Sequence, residues 1–339
     1  MEKFIKFLMS FIRFFMTSER GSFQITTAFV ENYKSNVHHL GQQRNARLFG
    51  TGRQERQTAK TDYYERMGLA EANDITERHG DTVLSNTPHS RRAVTLIGRD
   101  YADMIDNIDR VKLLINPDDH YVQAAVSSIN RKKDDVFIAA AFGNAAAGES
   151  GTTVVALPSA QKIVCTNAAA TALAPLNVKT LRKVVRKFDE SEIDEDGDEM
   201  YKRYFCFNGA QKESLLGETE VTSADYNSVR ALVMGEIDTF LGMKFIRSER
   251  LPVTAAANAA ASFANGTVDG GADTIPAGSD RLLAYIDKCM ISATGIELFV
   301  DIGPRRDKKV STQVYVMDMV GSTRLEEEGV IEIQCAAVA

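Results

Sequence analysis

The densest set of potential ligands in the 339-residue chain is the acidic run DESEIDEDGDEM at 189–200. Glu192, Asp194, Asp196 and Gly197 fall on the first, third, fifth and sixth positions of a calcium-binding loop, where oxygen ligands and a tight turn are needed. The twelfth position should supply a bidentate glutamate but holds Arg203, and from Tyr204 onward the chain reads as a strand instead of an exiting helix. A solvated helix-to-strand loop is the expectation, with a calcium-dependent enzyme or binder as the competing reading. Gly50-Thr51-Gly52 is a GxG with no strand before it and no P-loop lysine. His38, His39, His79, His89 and His120 share no metal-ligand spacing. Cys165, Cys206, Cys289 and Cys335 form no CxxC pair and read as reduced, mostly buried thiols of a cytoplasmic product. No nucleophile motif is present, and carboxylates are too evenly scattered to single out a catalytic pair. Neither a catalytic group, a cofactor nor a metal is expected.

The other concentrated chemistry is basic. Between residues 44 and 99 stand nine arginines (Arg44, Arg47, Arg53, Arg56, Arg66, Arg78, Arg91, Arg92 and Arg99) against one lysine, Lys60. The planar guanidinium fork suits bidentate carboxylate pairs, so the bias points to a protein–protein interface; a solvated charged loop is the alternative. The candidate contact residues are Arg53, Arg56, Lys60, Arg66, Glu77, Arg78, Arg91 and Arg92. A net charge of −6 argues against a dedicated nucleic-acid binder. The 44% apolar and 25% charged fractions are those of an ordinary soluble protein.

The elements that must position these groups centre on residues 116–145. Asn116 is a good N-cap, Pro117 suits the first helical position, and Asp118 and Asp119 favour the first turn. Val122, Val126, Ile129, Val136 and Ala140 recur at helical spacing, while Arg131, Lys132, Lys133, Asp134 and Asp135 are expected to face a neighbour or an interior space. Gly143 and Gly148 offer stops. Such a helix would be a spine of about 40 Å, long for a globular domain.

Around this spine, strands are expected within 58–74 and 90–105, with Gly80, Asn86 and Pro88 as turns between them. TTVVALPSAQKIVC reads as a strand pair broken at Pro158. Asn177 caps a helix whose inward residues are Val178, Leu181, Val184, Val185 and Phe188. A strand YKRYFCF, short helices in 210–218 and 223–236, and a strand FLGMKFIRS follow. Residues 253–280 are rich in Ala and Gly and read as a surface loop or a loose hairpin around Asn265-Gly266. In the strand-rich end, STQVYVMDMV sets Val314, Val316 and Asp318 against Tyr315, Met317 and Met319, and GVIEIQC alternates likewise. The mixture describes an α+β fold. MEKFIKFLMSFIRFFM at the start is too short and too charged to span a bilayer; an amphipathic membrane-surface helix, an arm packed on a partner, or an upstream start ahead of Met16 all fit it.

Taken as whole phrases, QTAKTDYYERMGLAEANDITERHGDTVLSNTPHSRR, RKKDDVFIAAAFGNAAAGESGTTVVALPSAQKI, GETEVTSADYNSVRALVMGEIDTFLGMKFIRSERLP and EGVIEIQC resemble the major capsid proteins of tailed bacteriophages, in the same order and from about residue 40 to the end. The resemblance implies the capsid fold shared with encapsulins and the herpesvirus capsid floor. Its parts would be an N-terminal arm at 1–45, an extended two-stranded loop at 46–100, and a peripheral domain with the spine helix at 101–150. An axial domain would follow at 151–285, including the Ala/Gly-rich loop 253–280, and strands at 286–339 would return to the peripheral domain. It further implies self-assembly into homo-pentamers and homo-hexamers of an icosahedral shell around phage double-stranded DNA, bound without sequence specificity. A separate scaffolding protein, a portal protein and a decoration protein would be partners, with assembly in the bacterial host cytoplasm and residence in the virion. An encapsulin-like compartment that holds a cargo peptide is the alternative. Some phages of this fold crosslink subunits through a lysine; Lys60 is the only one in the extended loop, and an ion pair with a neighbouring carboxylate is its plainer role.

Overall fold

The computed structural model describes residues 43–68, 70, 72–74, 78, 81, 84–105, 118–167, 173–193, 195–196, 199–217, 239–252, 267–268, 271–272 and 279–337; for 118–120, 195–196, 199–200, 267–268 and 271–272 it describes the backbone only. The first 42 residues, the Asn116–Pro117 start signal, Glu77 and the expected helix in 223–236 lie outside the described residues. In chain order the strands are β1 (Arg53–Arg56), β2 (Thr61–Met67), β3 (His89–Thr95) and β4 (Ile97–Ile105), followed by helix α1 (Asp118–Phe142). Then come β5 (Ala145–Ala147), β6 (Thr153–Val155), β7 (Lys162–Val164), α2 (Val178–Ser191) and the small hairpin of β8 (Glu195–Asp196) with β9 (Glu199–Met200). β10 (Arg203–Phe207), α3 (Gly209–Leu216), β11 (Thr239–Phe240) and β12 (Met243–Arg247) follow. β13 (Thr267–Val268) pairs with β14 (Gly271–Ala272), and Asn265-Gly266 lies outside the described residues. The chain ends with β15 (Ser279–Ile286), β16 (Met290–Arg305), β17 (Ser311–Arg324) and β18 (Val330–Ala336).

These strands make three principal sheets: β1-β16-β17-β4, β11-β12-β10-β15-β18-β7 and β2-β3-β5-β6. Helix α1, 25 residues long, lies on the first. The expected alternation in β17 is met: Val314, Val316 and Val320 are fully buried, whereas Tyr315, Met317 and Met319 are half-buried. Ala125 and Ile129 of α1 pack on Val314, Val316 and Ile105. Further along, Phe137, Ile138 and Ala141 enter the main core, where the Phe137 ring meets Tyr285 edge-on at 5.1 Å. The helix stops at Gly143, whose N–H donates to the Ala139 carbonyl at 2.8 Å. At α2, Asn177 caps the helix by accepting from Thr180 N at 2.8 Å, and Val178, Leu181, Val184 and Phe188 are buried, as their spacing predicts. β18 departs from expectation. All residues from Val330 to Cys335 are buried, because Glu332 and Gln334 on the alternate face belong to an internal polar network in which Glu332 accepts from Arg281 at 2.8 Å.

The charged stretch of α1 is also corrected. Lys132 alone of the five is mainly exposed; Asp134 is fully buried and Lys133 points at Asp318. The Asp134 carboxylate accepts the backbone N–H groups of Arg47, Leu48 and Phe49 at 3.0–3.3 Å and the Gln43 amide at 2.5 Å. It acts as an end-cap for the 3₁₀ turn at Phe49–Thr51, donor groups that would otherwise be buried without partners. Asp135 receives a two-pronged bond from Arg250, 2.5 and 2.6 Å long. At the far end of α1, the buried Arg324 donates to the carbonyls of Ala140, Ala141 and Gly143, countering the negative end of the helix, and to Val155 O. Burial lowers the guanidinium's affinity for its proton, and the nearby Glu327 and Glu332 oppose that. No described helix is long and apolar enough to cross a membrane.

Two stability predictions follow from these carboxylates. Asp134→Ala strands three backbone donors and should cost about 2–4 kcal/mol in urea unfolding; a loss below about 0.5 kcal/mol would show the contacts to be incidental. Asp318 sits on the buried side of β17, its oxygens without a hydrogen bond and Lys133 Nζ 3.7 Å away. Burial raises its pKa despite Lys133 and Arg99, so its charged form opposes folding. Because the folded-state value is raised, stability from this group increases as pH falls through it and is lost again at neutral pH. Asp318→Asn should therefore raise the urea midpoint at pH 7, with the gain shrinking on acidification; an unchanged or lower midpoint would show that the Lys133 contact outweighs the cost of burying the charge.

Candidate functional site

β2 and β3 form an antiparallel hairpin, with Thr61 opposite Thr95 and Met67 opposite His89. Their ends are held where Gly68 N–H donates to Pro88 O at 2.8 Å. Strand alternation sends Tyr64 and Arg66 to one face and Tyr63, Glu65 and Met67 to the other. On the first face, Arg66 and Arg92 are diagonal neighbours across the hairpin, and both converge on Glu327, in the segment that leads into β18. Arg92 donates to Glu327 Oε1 at 2.7 Å; Arg66 reaches Oε2 at 3.1 Å, the Leu325 carbonyl at 3.1 Å and Ser90 Oγ at 3.1 Å. Arg92 and Glu327 are both buried. One carboxylate thus receives two guanidinium groups, that of the buried Arg92 and that of the partly exposed Arg66, and ties both strands of the hairpin to the body of its own chain.

The opposite face is open. Arg91 pairs with Glu65 at 2.8 Å and lies 5.9 Å from the centre of the exposed Tyr63 ring. Arg53 pairs with Glu55 at 2.6 Å; Arg56, Lys60 and Arg78 are exposed. The eight sequence-predicted residues therefore divide. Arg66 and Arg92 are brought together on Glu327, Arg53, Arg56, Lys60, Arg78 and Arg91 line exposed surface, and Glu77 lies outside the described residues. Glu327 was not singled out by sequence, since it stands inside the run EEE at 326–328 with nothing to distinguish it from a solvated one.

The remaining candidate chemistries fall only in part within the described residues, and His38, His39 and His79 lie outside them. In the acidic run, Glu192 closes α2 in the left-handed conformation, and Arg203 bonds Asp189 at 2.7 Å and lies over the Phe188 ring. Asp194 and Gly197 are outside the described residues. Among the described residues no group of three or more His, Cys, Asp or Glu is placed to hold a metal. All four cysteines are buried thiols outside any disulfide, and burial pushes the Cys206 and Cys335 thiols upward, away from the reactive thiolate. Gly52 permits close packing: a Cβ there would stand 2.9 Å from Met290 O. Thr51, between the glycines, donates to Leu48 O at 2.6 Å and bonds the buried Tyr285 hydroxyl.

The pattern that defines a family of phage capsid proteins matches residues 25–337. Among solved structures, the capsid of cyanophage Pam1 has a TM-score of 0.66 at 13% identity, covering 92% of this chain and 98% of that one. The capsid of cyanophage P-SCSP1u gives 0.63 at 16% identity, with 91% and 94% covered. The capsid of an empty GTA particle gives 0.60 at 12% identity, with 95% and 98% covered. At these identities the likeness is one of fold. No curated protein sequence matches the chain.

Glu327→Ala should leave Arg92 buried without its partner, costing about 3 kcal/mol and loosening the hairpin. Hydrogen exchange across β2 and β3 should then accelerate more than in β15 or β18; uniform acceleration, or none, would show that Glu327 does not anchor the hairpin.

Proposed function

The chain belongs to the phage capsid protein family, and from that premise we propose how its parts serve a shell. It is a major capsid protein with a structural role, and the virion capsid is its place. In our reading, copies associate as pentamers and hexamers of an icosahedral shell that encloses double-stranded DNA. The observation that carries this is the family match over 313 of 339 positions, counting 25 to 337 inclusive, joined to the fold likeness over nine-tenths of both chains. An encapsulin-like cargo compartment is not favoured by that match.

The hairpin root supports a division of labour. With Arg66 and Arg92 spent on Glu327, the exposed Arg53 and Arg56 on β1, the exposed Lys60 and Arg78, and Arg91 on the outer face of the hairpin are left to meet carboxylates of a neighbouring subunit. Residues 1–45 would serve as the arm, 46–100 as the extended loop, 101–150 as the peripheral domain, 151–285 as the axial domain and 286–339 as strands returning to the periphery. A net charge of −6 suits a container whose walls must not hold phosphate tightly. A scaffolding protein, a portal protein and a decoration protein complete the proposed set of partners, and assembly takes place in the host cytoplasm.

Expressed protein, alone or with its scaffolding protein, should give capsomers or closed shells by sedimentation and negative-stain microscopy. A strictly monomeric species at high concentration under both conditions would contradict the reading.

A further inference from the structure

Among the described residues helix α1 packs mainly on β17 and β4, and in the far half of β16 Leu298 joins the cluster it forms there. Val316 and Val314 are fully buried, yet their cross-strand partners on the same face, Val300 and Ile302, are 39% and 45% exposed. Phe299, on the other face, is 50% exposed. β1 pairs with β16 only over Ile291–Thr294, so from Ile296 to Arg305 that edge has no strand beside it among the described residues. An unpaired edge of this length with apolar side chains on both faces invites a partner. Glu297 and Asp301 flank Phe299 along it, and all three are exposed.

At the end of this ribbon, the turn into β17 carries Arg305, Arg306, Lys308 and Lys309 against the single acid Asp307, in a chain that is acidic as a whole. Asp307 is occupied by Arg305 through two 2.8 Å bonds, which hold its carboxyl down at about 2. Arg306, Lys308 and Lys309 have no carboxylate within ion-pair distance among the described residues, and all three are exposed. The turn is nevertheless well defined. Lys308 N donates to Arg305 O, Ser311 donates to Lys308 O through both its N–H and its hydroxyl, and Lys309 and Val310 are both left-handed, with φ of 52° and 61°. For a β-branched valine that conformation is strained, and it leaves Val310 51% exposed at the apex.

We propose that this ribbon is a contact between two copies of the chain, in which the cationic tip of one seats against the open β16 edge of the next. Arg306, Lys308 and Lys309 face Glu297 and Asp301, and Val310 meets the apolar residues around Phe299. Two like tips would repel each other, whereas tip against edge satisfies charge and covers apolar surface at once. Because donor and acceptor are different patches of the same ribbon, the contact is head-to-tail, and successive copies close a ring or extend a lattice. The proposal rests on the capsid reading and supplies it with a specific joint.

The test reverses charge on each side and then on both. Lys308→Glu with Lys309→Glu should cut the yield of sedimenting shells about tenfold or more, and Glu297→Lys with Asp301→Lys should do the same. Carrying all four changes together should restore the yield to within about twofold. Undiminished assembly of either two-fold variant, or a four-fold variant no better than its parents, would overturn the contact. A second readout does not depend on yield: Asp301→Cys with Lys309→Cys should give a ladder of disulfide-linked subunits when particles are oxidised, and particles that yield only monomers would also overturn it. Shell formation by the unmodified protein is the readout for the capsid reading itself, so the two can fail separately.

Discussion

The buried carboxylate of Asp134 is the constraint on which the rest depends. A charge at the middle of α1, shielded from water, has to be met by donors, and the chain at Gln43–Phe49 supplies them. Pinning that segment along the helix sets where the 3₁₀ turn falls, which in turn lays β1 beside β16 and starts the path to the hairpin. Arg324 does the converse at the helix end, offering donors to carbonyls that would lack partners. The middle and the C-terminal end of the spine are therefore tied by ionic groups to elements far away in sequence. The apolar stripe of α1 gives it a sheet to lie on, and these two residues fix how it lies.

The same logic of one buried charge meeting several partners recurs at Glu327. There it joins both strands of the hairpin to the segment that leads into β18, so that the orientation of the β2–β3 pair is set by a tie to the body of the same chain. The result is a subunit with a well-packed body and several open, patterned edges: the outer face of the hairpin, the free edge of β16 and the cationic turn beyond it. Open edges of this kind suit a protein whose partner is another copy of itself.

Much of the fold was legible in the sequence. The spine helix was visible from its stripe and its glycine stop, α2 from Asn177 and its spacing, and the inner face of β17 from strict alternation. The parts that were not legible share a physical cause. Asp134 looks like one more charge in RKKDD, since its partners lie more than 80 residues away and include backbone groups that no motif records. β18 alternates in sequence but not in burial, because its polar residues pair internally with Arg281. Asp318 was the one readable anomaly, an acid on the apolar row of β17, and it proved to face Lys133. The arginines of 44–99 were recognised as a set, but sequence could not separate Arg66 and Arg92, tied to Glu327, from those left on the surface.

A reconstruction of the assembled particle at side-chain resolution tests the central claim most directly, that ionic ties within one chain fix the body and hairpin root while the open edges join copies. The account predicts that Asp134 and Glu327 keep their partners within one subunit and that the open hairpin face and the β16 edge are covered by neighbours. A particle in which Glu327 pairs across a subunit boundary, or in which those edges face solvent on every copy, would contradict it.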